Sequence, residues 1–329
     1  MTAAPVTSAA PPPQRGLTDR AVEWSARHGP DVLRIAFGIL FLWLGLLKVF
    51  PGVSPAEPLM KAALPDFVPK DPFIRFAAVW EILVGVGFLS NRYPRAVLLM
   101  VFATMAITLS IPIQAPARVW TTFPFVLSFE GEYVVKDLVI ASCAIVLASH
   151  TFEPRPRAAM DEGPPLERLL ARIDQLIAPA DRWAQVHGPT LVRLAYGTVF
   201  VWFGALNLFP DVSPARPLLE VMYGGAARQV LPILGAVELA AGIAIVANRL
   251  PGLATVVSLA VLAGTMLYFP LRPAATFQSP FVLTLEGQHI LKNLVYVGAA
   301  LVIFLASRGG GFRAAAERSG RSLGQVGAR

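Results

Sequence analysis

A chain of 329 residues that is 55% hydrophobic and only 15% charged does not have the make-up of a soluble enzyme, since soluble domains carry about 25% charged residues. The apolar residues run the whole length, with a mean hydropathy of +0.59, which also excludes a soluble domain on a single anchor. Lysine and arginine outnumber aspartate and glutamate by 28 to 21. No basic run is interleaved with aromatics, so this surplus reads as topology signal and lipid-headgroup contact rather than nucleic-acid binding.

In chain order, residues 1–29 are expected to be a disordered lead-in and a short interfacial helix from Leu17 to Arg27. The opening MTAAPVTSAAPPPQRG has no apolar h-region and is not a signal peptide. Residues 30–150 contain four apolar runs, at 32–50, 72–90, 94–113 and 133–149, each near the ~20 residues a membrane span needs. Residues 151–188 read as a Pro-rich, charged linker followed by an amphipathic interfacial helix, with Leu166, Leu169, Leu170, Ile173, Leu176 and Ile177 on one face. Residues 189–307 contain four more runs, at 190–209, 228–247, 251–270 and 289–306, and 308–329 reads as a mobile cytoplasmic tail. Pro51, Pro94, Pro210 and Pro251 stand at run ends, where proline costs a helix least.

The second set of runs repeats the first. HGPDVLRIAFGILFLWLGLLKVFPGVSPAEP from His28 returns as HGPTLVRLAYGTVFVWFGALNLFPDVSPARP from His187, and FVLSFEGEYVVKDL from Phe125 returns as FVLTLEGQHILKNL from Phe281. The offset drifts only from 159 to 156 residues. The expected fold is therefore an all-α integral membrane protein with eight transmembrane helices, arranged as two parallel four-helix bundles by internal duplication. Arginine is concentrated in the lead-in, the linker and the tail, which places both termini in the cytoplasm. An even number of spans per copy makes the copies parallel.

Positions kept in both copies are the candidates for chemistry. Glu81 and Glu238 lie mid-span, each followed one turn later by a glycine, Gly85 or Gly242. A carboxylate at that depth must be neutralised, paired or turned to a polar cavity. It serves either to handle a proton or ligand or to hold helices together by hydrogen bonding. Arg34 and Arg193, near the start of the first run in each copy, either snorkel to headgroups or pair with the glutamate of their own copy. Lys48 becomes Asn207 in the second copy, and Lys136-Asp137 becomes Lys292-Asn293. A lysine in a first helical turn opposes the helix dipole, so Lys136 and Lys292 call for partners. Glu130, Glu286 and Asp137 are the candidates, set against a plain interfacial lysine. The missing charges in the second copy point to the first as the active one.

The FVLSFEG and FVLTLEG segments are apolar but too short to span, and read as a lip over a hydrophobic ligand or as a membrane anchor. His28 and His187 read as a turn and helix start. No mid-span histidine pair supports a haem. The lone Cys143 supports neither a disulfide nor a metal set. There is no metal-ligand cluster, Walker motif or dinucleotide fingerprint.

LRIAFGILFLWLGLLKVFPGVSPAEP, the mid-span Glu81 with Gly85, and EGEYVVKDLV together resemble the DoxX-like membrane proteins. They are most similar to the branch that includes the bacterial reactive-chlorine-resistance membrane protein. The resemblance covers 30–150 and, less fully, 189–306. It implies a bacterial inner-membrane protein of redox or oxidant-stress physiology, with a family-type polar set of Arg34, Lys48, Glu81, Lys136 and Asp137. Quinone binding is implied by that analogy alone. Members of that branch typically carry one four-helix copy. Asn207 and Asn293 depart from the set in the second copy. Two other readings stay open: a proton-coupled small-molecule transporter, and a non-catalytic membrane scaffold for a soluble redox partner.

Overall fold

The computed structural model describes residues 16–151 and 164–308. Most of the expected lead-in, the Pro-rich part of the linker and nearly all of the expected tail lie outside the described residues. The first half consists of α1 (Leu17–Val49), α2 (Glu57–Ala63), α3 (Lys70–Ser90), α4 (Pro94–Gln114), α5 (Pro116–Val119), β1 (Trp120–Thr122), β2 (Val126–Leu127), α6 (Phe129–Val135) and α7 (Asp137–Thr151). The second half runs α8 (Pro165–Asn207), α9 (Arg216–Tyr223), a 3-10 turn at Gly224–Ala226, α10 (Ala227–Val246), α11 (Pro251–Met266), α12 (Tyr268–Leu271), α13 (Pro273–Thr276), β3 (Phe277–Ser279), β4 (Val282–Leu283), α14 (Leu285–Leu291) and α15 (Asn293–Ala306). The strands pair only as two small antiparallel ribbons, β1 with β2 and β3 with β4.

Among the described residues, seven stretches are helical, long and apolar enough to cross a membrane: Thr18–Val49, Lys70–Ser90, Pro94–Gln114, Asp174–Asn207, Arg216–Val246, Pro251–Leu271 and Leu285–Ala306. This is a multi-pass, all-α membrane protein. The remaining expected run, 133–149, falls on α6 and α7, which meet at Lys136 and are 7 and 15 residues long.

Helices α1 and α8 run further than the apolar pattern indicated. The stretches expected to lie on the membrane surface as separate helices continue without a break into the spans, through Pro30 in α1 and through Pro179 and Pro189 in α8. A proline inside a helix removes one hydrogen bond and crowds the preceding turn. Here each HGP motif is braced from within the helix rather than forming a turn. His28 stacks on Trp24 at 5.1 Å and its Nδ1 lies 3.1 Å from the Trp24 carbonyl. His187 repeats this on Trp183, at 4.9 and 3.0 Å. Farther up α8, Asp174 is buried and bonds Arg95 of α4 at 2.9 and 3.1 Å.

Glycines decide how closely the helices approach. A Cβ on Gly85 of α3 would sit 2.4 Å from the Leu42 amide nitrogen of α1, and one on Gly242 of α10 would sit 2.6 Å from that of Val201 in α8. The two helix pairs α1–α3 and α8–α10 therefore pack backbone to backbone, as small residues permit in membranes. The halves are then joined crosswise, with α7 against α8 and α15 against α1. One buried core runs through both halves, including Leu33, Phe37, Ile140, Cys143, Tyr196 and Tyr296. The crosswise helices are the interior of the molecule. The most apolar window of Leu285–Ala306 is 72% buried by protein, that of Pro94–Gln114 only 28%.

Candidate functional site

Each half contains a cavity with a polar end. The first, of about 190 Å³, is walled by apolar side chains of α1–α4 and closed by Lys48, Glu81, Tyr133, Asp137 and Lys292. Lys48 Nζ donates to Glu81 Oε2 at 2.6 Å, with the lysine 3% and the glutamate 7% exposed. Antiparallel packing of α1 on α3 brings this pair together, the lysine coming from the last turn of α1 and the glutamate from mid-α3. Lys292 Nζ donates to Asp137 Oδ1 and to the Tyr133 carbonyl, both at 2.7 Å, and lies 3.5 Å from the centre of the Tyr133 ring. Two cations and two anions, all buried, thus form two ion pairs at one end of an apolar chamber. Below the chamber, Lys61 of α2 bridges Asp71 and Glu57, each at 2.7 Å. The Asp71 carboxylate first, and Glu57 second, raise the Lys61 pKa above the usual lysine value.

The second cavity, of about 80 Å³, is lined by the corresponding positions, among them Glu132, Lys136, Asn207, Glu238, His289 and Asn293. Asn207 Nδ2 donates to Glu238 Oε2 at 2.8 Å, and Ser213 Oγ donates to Asn207 Oδ1 at 2.6 Å. Lys136 Nζ donates to Asn293 Oδ1 at 2.8 Å and to the His289 carbonyl at 3.0 Å. Asn293 Nδ2 in turn donates to Thr265 Oγ1 at 2.7 Å.

The two lysines are exchanged between the halves. Lys292 belongs to the second half and serves the first cavity; Lys136 belongs to the first half and serves the second. The cause is the crosswise packing. The α6–α7 and α14–α15 junctions lie at the centre of the molecule, where each lysine reaches the other half's short helix. Lys136 therefore does not join Glu81, and its partners are neither Glu130 nor Asp137. Glu130 binds Arg118 through two bonds, that from Nε at 2.7 Å. Glu286, partly buried in the first turn of α14, lines neither cavity.

The arginines are also placed away from the cavities. Arg34 Nη1 donates to the Phe88 carbonyl at 2.6 Å, and its Nε and Nη2 meet Asp31 Oδ1 at 3.3 and 3.2 Å. Arg193 Nη1 donates to the carbonyls of Ile245, at 3.1 Å, and Val246. Both satisfy the last carbonyls of the neighbouring helix, α3 or α10, where a cation also suits the dipole. The chain leaves α3 through Asn91, in the left-handed region at φ 52°, and passes Asn248 at φ 54° after α10. This explains why an asparagine follows both helices.

Residues 38–128 match the family model described as the DoxX-like family. The DoxX-like segment starts inside α1 and stops at the cap of α6, so it includes Lys48 and Glu81 but neither Asp137 nor the exchanged lysines. No curated protein and no solved structure matches the chain. Within the DoxX-like segment and just beyond it, the short ribbon and helix explain the FVLSFEG motif. Ser128 caps α6 by accepting from the Gly131 amide at 2.9 Å, and a Cβ on Gly131 would collide with the Val119 carbonyl at 2.2 Å. Thr284 and Gly287 repeat this at α14. The ribbons also tie the halves together: Trp43 Nε1 donates to the Phe281 carbonyl at 2.9 Å, and Trp202 Nε1 to that of Phe125 at 2.8 Å.

Sequence reasoning missed Glu132, Tyr133 and His289. A signal for the first was present, because Glu132 precedes Lys136 by four residues and so shares its helical face. Nothing local signals that Tyr133 would lie under a lysine 159 residues away.

Proposed function

We propose that this is a bacterial inner-membrane protein of redox or oxidant-stress physiology, and that its first cavity binds a lipid-soluble molecule with a polar head, of quinone type. One observation carries the reading: an apolar chamber of about 190 Å³ ends in the buried Lys48–Glu81 and Lys292–Asp137 pairs. Mostly apolar walls with a few convergent polar groups are the usual form of a small-molecule site. Buried ionisable groups at membrane depth are retained for a use. The similarity of residues 38–128 to the DoxX-like family supports the same direction, and the branch with reactive-chlorine resistance is the one we favour. In this reading Glu81 and Lys292 hold the polar head, while Asp137 and Lys48 hold them in place.

The architecture that goes with it is two tandem four-span units, eight spans in all, with α6 and α7 together forming the fourth. Both termini face the cytoplasm, where a soluble redox partner would dock. The test is to purify the protein in mild detergent and to record its visible spectrum. Extracted small molecules are then identified by mass spectrometry, with Glu81→Gln and Lys292→Met alongside. A bound quinone-type molecule that is lost in both variants is the expected result. Ordinary phospholipid alone, in wild type and variants alike, sinks the reading.

A second reading, a proton-coupled carrier, is favoured by one further observation, the second cavity with its own buried carboxyl groups. Substrate uptake driven by a pH gradient in proteoliposomes, abolished by Glu238→Gln, is its test.

A further inference from the structure

The two cavities are built from corresponding positions but do not carry the same charge. At the first, Lys48 and Lys292 balance Glu81 and Asp137, and Gln288 stands beside it as a neutral acceptor for Tyr133 at 3.4 Å. At the second, Asn207 replaces Lys48 and Asn293 replaces Asp137. Glu132 occupies the position that corresponds to Gln288. The second cavity therefore has one cation, Lys136, facing two carboxyl groups, Glu132 and Glu238. A full uncompensated negative charge in a protein interior within a membrane costs many kcal/mol, so such a site takes up whatever neutralises it.

The hydrogen bonding says which carboxyl is out of balance. Glu238 accepts from Asn207 at 2.8 Å. Glu132 is 2% exposed, and its Oε1 faces no donor at all. His289, which also lines the cavity, is not the natural carrier of an extra proton. Its Nδ1 meets no acceptor, and its carbonyl is already bound by the Lys136 ammonium. The other titratable groups facing the space are phenols, Tyr268, whose hydroxyl is also unpartnered, and Tyr296. Behind Lys136, Lys292 is committed to Asp137.

We infer that the second cavity is a proton-binding site, holding one exchangeable proton on Glu132 in balance with Glu238 and Lys136. This goes beyond the ligand proposed for the first cavity and stands independently of it. The occupant is a proton rather than a metal ion, because among the described residues no three His, Cys, Asp or Glu side chains are grouped to hold one. The cavity, at about 80 Å³, has room for the few waters that would carry a proton to and from the site.

The test is infrared spectroscopy of the full-length protein in detergent, titrated in pH, reading the carbonyl stretch of protonated carboxylic acids. The expected result is one such band at neutral pH, shifted by deuterium. It is lost in Glu132→Gln, which only installs the amide that the first half already carries as Gln288. It is lost equally in Asn207→Lys, which gives the second cavity the first one's missing cation while keeping both carboxyls. Glu81→Gln leaves it in place. The inference is overturned by the absence of a protonated carboxyl band in wild type. It is also overturned by a band that survives both Glu132→Gln and Asn207→Lys, or by one that sodium or potassium removes at constant pH. The wild-type measurement decides the matter even if a variant fails to fold.

Discussion

The two cavities differ more in chemistry than in construction. Both lie against a glycine-packed helix pair and a capped short helix, and both are completed by a lysine from the opposite half. The first holds two complete ion pairs at the end of a chamber more than twice the volume of the second. In the second, amides stand in for one lysine and one aspartate, and an additional carboxyl appears. One scaffold can therefore hold a balanced polar cluster or an unbalanced one without a change in helix packing, because three side chains set the difference.

The largest test of that contrast is to break a complete pair. Lys292→Met leaves Asp137 as a buried charge without its partner, which should lower stability by about 3–5 kcal/mol. Lys136→Met removes the one cation of the second cavity, but its direct acceptors are neutral and a second proton on the Glu132–Glu238 pair can compensate, so it should cost less. Thermal unfolding in detergent compares the two, and equal losses would mean that the Asp137 pair is not special. Next in size, Glu81→Gln turns the Lys48 ion pair into a bond to a neutral amide and should destabilise by roughly 2–3 kcal/mol. Glu238→Gln weakens only an amide–carboxylate bond and should cost about 1 kcal/mol.

Substitutions in the shared scaffold should affect the halves alike. Gly85→Ala and Gly242→Ala each force a Cβ into a facing backbone, for an expected loss of about 1–3 kcal/mol by overpacking. A difference of more than a factor of two between their unfolding shifts would show that the helix pairs are not equivalent. The smallest expected effect is at the caps, where Ser128→Ala and Thr284→Ala should each cost about 1 kcal/mol. Amide hydrogen exchange at Gly131 and Gly287 reads this locally, and unchanged protection would refute the capping role.

Part of the site is legible in the sequence. A carboxyl retained mid-span among drifting Val, Leu and Ala singled out Glu81 and Glu238, and both line a cavity. Of the DoxX-like resemblance expected over 30–150 and, less fully, over 189–306, the family match covers residues 38–128. The arginines were singled out for the same reason, yet they finish helices α3 and α10 instead of joining the glutamates. Retention marks an exacting position without saying what the position requires.

The amino-acid sequence by itself determined the membrane character, the helical elements, the glycines at helix crossings and the mid-span carboxyls. These follow from composition, run length and local chemistry. Only the tertiary structure decided which lysine serves which cavity, and that Glu132 and His289 line the second. Helices such as α4 and α7 carry apolar residues on every face, so their periodicity does not tell which face is buried. That choice is made by the crossing of α7 on α8 and of α15 on α1, which sets Lys292 against Asp137, 155 positions away in the chain.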